Sequence, residues 1–195
     1  MTSPNFTPAV TELVEQLKVM YEGWDGVKQF TDTPGRLTRL YQERCWSLDR
    51  IKNELDDTVR VFEDNYKEMV ITGPATVWVL CPHHLLPCEL QVVMGILPRG
   101  KVLGASKFTR IADILGRRPI MQETYTTELV EFLQTKLDPR GAAVHVVGSH
   151  SCMTSRGIKQ PRENRMITNA VRGDFLNDKS AKDEFFQSVG LRYAR

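Results

Sequence analysis

Two stretches of alternating apolar residues set the tightest limit on what this chain can become. In the first, Val77, Val79 and Cys81 share one parity after Gly73-Pro74. In the second, Leu90, Val92, Met94 and Ile96 alternate with Gln91, Val93 and Gly95. A period of two belongs to a strand that lays one face on a core. Pro98-Arg99-Gly100 then marks a turn, and Lys101-Val102-Leu103 starts a new strand. The region from about 69 to 104 therefore reads as β.

The flanking periodicity is mostly helical. Thr7-Pro8 and Thr33-Pro34 are cap-plus-proline signals. Val10, Leu13, Val14, Leu17 and Met20 follow the first, and Leu37, Leu40 and Tyr41 the second. Leu48, Ile51, Leu55 and Val59 suggest a third helix. The chain divides accordingly into a helical region, 1–68, and a β-rich mixed region, 69–195. In the latter, Ser106 can cap a helix carrying Phe108, Ile111, Ala112 and Leu115. Thr126 or Thr127 can cap another carrying Leu129, Phe132, Leu133 and Leu137. AAVHVVGSHSC reads as a strand, and the tail from about 157 as polar, with a short apolar piece at Phe185, Phe186 and Val189.

Charge restricts the partners. Lys and Arg number 26 and Asp and Glu 24, a formal +2. That balance excludes a polyelectrolyte grip on nucleic acid, so anions must be met by a few placed cations. No apolar run reaches the ~18 residues of a membrane span. The first residues show no basic and apolar leader, which places the protein in the cytoplasm as an expectation. In that setting Cys45, Cys81, Cys88 and Cys152 point to metal binding or burial, not a disulfide framework.

Cys81-Pro82-His83-His84 ends one expected strand, and His150-Ser151-Cys152 ends another. Strand parity puts His150 and Cys152 on one face and His145 on the other. Thiols and imidazoles offered by two strand ends suit tetrahedral zinc. Cys81, one of His83 and His84, and Cys152 make three ligands. An open fourth position would hold water, whose pKa zinc lowers from about 15.7 towards ~7, with the spare histidines as general acids and bases. Cys88 could instead close the set and make the site structural. Lys107 and Arg110, with Ser106 at the start of a helix, form an anion seat. Arg156 follows Cys152 closely, as a substrate-binding cation beside the metal would. A solvated helix face is the other reading of these charges. Gln122-Glu123 offers a carboxylate that could accept two donors from a guanine edge, or is a surface pair. Neither a P-loop nor GxGxxG is present.

Taken in order, TPGRLTRLY, CPHHLLP, GKVLGASKFTRIADILGRRPIMQE and HSCMTSRGI resemble the GTP cyclohydrolase I family from about Thr33 to Phe186. The resemblance implies an α+β tunnelling fold: an antiparallel sheet with two antiparallel helices after an N-terminal helical region, closing into a barrel on oligomerisation. It implies a homo-oligomer, a decamer of two pentamers, with no nucleic-acid or membrane partner. The implied reaction converts GTP to 7,8-dihydroneopterin triphosphate and formate, the first step of pterin, folate or 7-deazaguanine synthesis. The alternative is a tunnelling-fold purine or pterin enzyme acting on another nucleotide, such as dGTP.

Carried over by position, Cys81, His84 and Cys152 resemble the Zn2+ ligands, His83 a catalytic acid beside the ribose, and His150 the proton donor and acceptor at purine N7. Glu123 with Gln122 resembles the guanine reader. Ser106, Lys107, Arg110 and Arg156 resemble triphosphate and ribose contacts, Leu103 a purine-pocket wall, and Arg36 and Arg39 cations lent by a neighbouring subunit. The chain departs from the family pattern at Pro82, where Glu is usual, at Cys88-Glu89-Leu90, where an aromatic-rich stretch with Gly is usual, and at Thr124, where Arg is common. The segment Thr168-Asn169-Ala170-Val171 is also less Ser/Thr-rich. These departures mark a divergent member.

Overall fold

The computed structural model describes residues 5–193. Residues 1–4 of the expected helical region and 194–195 of the second region lie outside the described residues. α1 (Thr7–Met20) and α2 (Thr33–Arg44) carry proline in the first turn, where its missing N–H removes no intrahelical bond. The two threonines are first helical residues, not caps. The caps are Phe6 and Asp32, and neither side chain makes a capping bond. α3 (Leu48–Thr58) has a side-chain cap, with Ser47 Oγ accepting from the Arg50 N–H at 3.2 Å. Its Ile51 and Leu55 are buried.

Inside the region expected to be helical, Val61–Glu63 forms β1. It is too short to show a period, and it exists because β4 (Lys101–Leu103) pairs with it. The main sheet is antiparallel, in the order β2 (Val70–Leu80), β3 (Pro87–Leu97), β5 (Gly141–His150), β6 (Met166–Gly173). β2 begins before Gly73-Pro74. A register shift between Thr72 and Ala75 absorbs the proline, as a bulge does for a residue that cannot donate to the ladder.

Pleating separates two cores. Val77, Val79, Leu90, Val92, Met94, Ile96, Val144 and Val146 face α4 (Ala105–Leu115) and α5 (Gln122–Leu137). The Tyr125 hydroxyl donates to the Ala112 carbonyl at 2.9 Å and ties the two helices together. On the other face Val93, Leu97 and Ala143 pack with Phe175 of α7 (Asp174–Asn177) and with Phe185 and Val189 of α8 (Lys179–Tyr193). This is the expected α+β architecture: helices first, then an antiparallel sheet whose outer strands are β2 and β6, with two helices against one face. The four-stranded sheet is open, with β2 and β6 as its outer strands, as the expected tunnelling-fold subunit requires. Among the described residues no helix is long and apolar enough to cross a membrane.

Three local expectations are corrected. α4 starts at Ala105 with Gly104 as cap, so Ser106 lies in the first turn. α5 starts at Gln122, because Thr126 bonds back to the Gln122 carbonyl at 2.7 Å and so sits inside the helix. The polar tail contains β6 and the second core's main helix, α8.

Candidate metal centre and its histidines

The β2–β3 connection presents the first half of the site. It is a tight loop: the Cys81 N–H donates to Leu86 O at 2.9 Å, and the Leu85 N–H donates to Cys81 O at 2.8 Å. Leu85 takes a left-handed conformation, φ 52°. The turn leaves Cys81 buried at the root and His83 and His84 exposed at the tip. The Cys81 Sγ lies 3.6 Å from His84 Nδ1 and 3.9 Å from His83 Nδ1.

The second half comes from the end of β5. The strand stops at His150, and Cys152 lies in a helical turn, α6 (Ser151–Thr154). The expected strand parity of His150 and Cys152 therefore does not apply. The turn, not the pleat, carries the thiol to the partner loop. Ligand atoms of Cys81, His84 and Cys152 all lie within 4.8 Å of one another. In tetrahedral zinc with bonds of ~2.3 Å to sulfur and ~2.0 Å to nitrogen, such atoms stand about 3.5 Å apart. The 3.6 Å between Cys81 and His84 fits that spacing, and a sulfur–nitrogen–sulfur set suits zinc. Burial pushes the Cys152 thiol up, the neighbouring Cys81 adds to this, and the Arg156 charge pulls the other way. The Arg156 Nη1 lies 2.8 Å from His84 Nε2. Cys88 is not a member of the three-residue group.

His145 points to the opposite face, as expected, with its ring edge-on to Phe186 and Nδ1 2.6 Å from Asn169 Oδ1. His150 is half-buried beside the helices. Burial lowers its pKa below the ordinary imidazole value, and the Glu123 carboxylate partly opposes this. Its Nε2 lies 2.8 Å from Gln122 Oε1, and its Nδ1 lies 3.3 Å from Cys88 Sγ. Burial pushes the Cys88 thiol up to about 12, with the Cys152 and Cys81 thiols adding to this.

The fold thus gathers Cys81, His83, His84, Cys152, Arg156, His150 and Gln122 around one end of the sheet, with Glu123 exposed beside Gln122. The side chain of Gln122, paired with Glu123 in the sequence reading, is buried and bonded internally. Ser106, Lys107 and Arg110 form a separate group at the start of α4, with Ser106 and Arg110 exposed and Leu103 buried just before them. Arg36 and Arg39 are exposed on α2, and Arg36 pairs with Asp32 at 3.6 Å. The sequence reading did not find the contacts of Cys88 and Gln122 with His150. Cys88 faces His150 only through the β3–β5 register, which no local pattern announces.

Comparison with known proteins agrees with this arrangement. The GTP cyclohydrolase I family model matches residues 10–190. A protein named GTP cyclohydrolase 1 from Thermoanaerobacter pseudethanolicus is 37% identical over 163 residues, which is 83% of this chain and 85% of that protein. One of the same name from Mycolicibacterium gilvum is 34% identical over 187 residues, 94% of this chain and 91% of its own length. Among solved structures, the apo form of the archaeosine synthase QueF-Like covers 56% of this chain and 97% of its own, at 20% identity and a TM-score of 0.46. With its family model spanning nearly the whole sequence and a sulfur–nitrogen–sulfur cluster at the strand ends, the chain belongs to the GTP cyclohydrolase I family.

Proposed function

We propose that this protein is a zinc-dependent GTP cyclohydrolase I that converts GTP to 7,8-dihydroneopterin triphosphate and formate. The observation that carries the reading is the cluster of Cys81, His84 and Cys152 within 4.8 Å, in a chain of this family. Zinc held there supplies a Lewis acid that makes water nucleophilic near neutral pH.

His150 gives a proton to purine N7 as water adds at C8, which opens the five-membered ring. A second hydrolysis releases C8 as formate. His83, exposed at the loop tip, assists opening of the ribose before the rearrangement that closes the pterin ring. Glu123 accepts from the guanine edge, and Gln122, buried beside it, holds His150. Leu103 backs the purine. Arg156 holds the triphosphate together with Ser106, Lys107 and Arg110, which stand apart from it within one subunit and reach it from a neighbouring copy; this binding energy positions the base without entering the chemistry.

Arg36 and Arg39 act on the site of a neighbouring copy, in an assembly of two face-to-face pentamers. The exposed apolar side chains of α1 support an assembly, with Leu13, Val19 and Met20 each more than half exposed. The 1–68 region serves that packing, and 69–195 carries the catalysis. The protein works in the cytoplasm, at the entry to pterin, folate or 7-deazaguanine synthesis.

Incubating zinc-loaded protein with GTP tests the reading. Formate and pterin fluorescence should appear together, and His150→Ala should lower both by ~10²–10⁴-fold. Wild-type protein that yields neither product above that variant refutes the reading. Turnover of dGTP in preference to GTP would reassign the substrate.

A further inference from the structure

The mechanism above uses His150 but does not say what aims it. The ring is held at both nitrogens. Gln122 is among the most completely buried side chains of the molecule, and its amide orientation follows from its partners. Its Nε2 lies 3.2 Å from Val146 O, 3.1 Å from Met166 O and 3.1 Å from Thr168 Oγ1. Two carbonyls accept and cannot donate, so the amide nitrogen must face them. Oε1 is then the atom 2.8 Å from His150 Nε2. A carbonyl oxygen only accepts, so His150 Nε2 carries the hydrogen. In the neutral ring Nδ1 is left with a lone pair, and the Cys88 thiol, 3.3 Å from it and 3.9 Å from its other acceptor Leu86 O, is placed to donate to it.

Two backbone features make room for this clamp. Cys88 and His150 are direct register partners on β3 and β5. Gly148 lies under the contact: a Cβ there would collide with Gln122 Oε1 and crowd His150 Nε2.

We infer that Cys88 and Gln122 are positioning residues that clamp His150 between them as the Nε2–H tautomer; that hydrogen is the neutral ring's only one, so a transfer to substrate must draw on it and break its bond to Gln122 Oε1. Tautomer and direction are set by the hydrogen bonds that a ring makes at both nitrogens. Removing Cys88 leaves Nδ1 without a donor and the ring held on one side only. The inference rests on the proposed cyclohydrolase role for its consequence, but its structural content is measurable without turnover.

The test uses zinc-loaded, nucleotide-free protein with 15N-labelled histidine. The four histidines are few enough to resolve, and His150 is assigned as the pair of ring signals lost in His150→Gln. The wild type should show Nε2 protonated and Nδ1 unprotonated, the latter shifted upfield by an accepted hydrogen bond. In Cys88→Ala the Nδ1 signal should move downfield to the position of a free imine nitrogen, and Cys88→Ser should bring it partly back. On GTP, Cys88→Ala should lose about tenfold in kcat, a part of the ~10²–10⁴-fold contributed by an aligned proton donor, with KM changed less than about twofold.

Gln122→Met serves as a second variant and should leave both tautomers populated. If it does not fold, the Cys88 series alone decides. A wild-type Nδ1 that carries the proton overturns the clamp, as does a Cys88→Ala protein with an unmoved Nδ1 signal. A protein that shows the expected signals yet makes no formate from GTP contradicts the cyclohydrolase reading and leaves the clamp supported.

Discussion

The sheet with α4 and α5 differs from the N-terminal helices in how much of its apolar surface the chain covers by itself. Leu90, Met94 and Ile96 on the sheet and Leu129 and Leu133 on α5 have no exposed surface. In α1 only Val10 and Val14 are buried. Leu13, Val19 and Met20 are 54%, 68% and 72% exposed, and Trp24 just beyond is 51% exposed. Isolated exposed apolar residues are ordinary, but several on one helix and its flank mark a contact surface. One region completes itself within the subunit, while the other is shaped for a second surface. The metal cluster belongs to the first region, at the strand ends, so its geometry depends on the packing of the sheet.

The largest effects should come from breaking the self-contained side. Leu129→Ala removes a fully buried side chain between α5 and the sheet. It should destabilise the subunit by about 2–5 kcal/mol, read as a lower midpoint in denaturant unfolding. A loss below ~1 kcal/mol would mean that this core is not close-packed. At the other extreme, Val19→Ser with Met20→Ser should change subunit stability by less than ~0.5 kcal/mol while weakening self-association. Sedimentation or light scattering would show this as a shift to smaller species at equal concentration. An unchanged mass would mean that the α1 surface is not part of an interface, and the contrast between the two regions would fail.

The same contrast explains what the sequence made legible. β2, β3 and β5 announce themselves through period-two apolar residues, because a sheet with helices on one face and α8 on the other demands them. The opposite orientations of His145 and His150 follow from that period. β6 escaped because none of its residues is fully buried, as suits an edge strand, so no run of core apolar residues marks it in the sequence. The cluster of Cys81, His84 and Cys152 was anticipated, but for Cys152 the expected route was a strand face and the actual one is a helical turn. Gln122 was misplaced into a connector because α5 has no side-chain cap at Met121, so nothing local marks where the helix begins. The Cys88–His150 contact was invisible because it depends on register between two strands separated by α4 and α5.

The account rests on a metal held by three side chains of a scaffold that folds without it. Treatment with a chelator, followed by circular dichroism and by formate release from GTP on the same sample, tests this directly. The account predicts that activity disappears, the far-ultraviolet spectrum and thermal transition stay close to native, and added zinc restores turnover. Structural zinc can supply ~10–16 kcal/mol of folding free energy, so a protein that unfolds when zinc is stripped would contradict it, as would one that keeps full activity without metal.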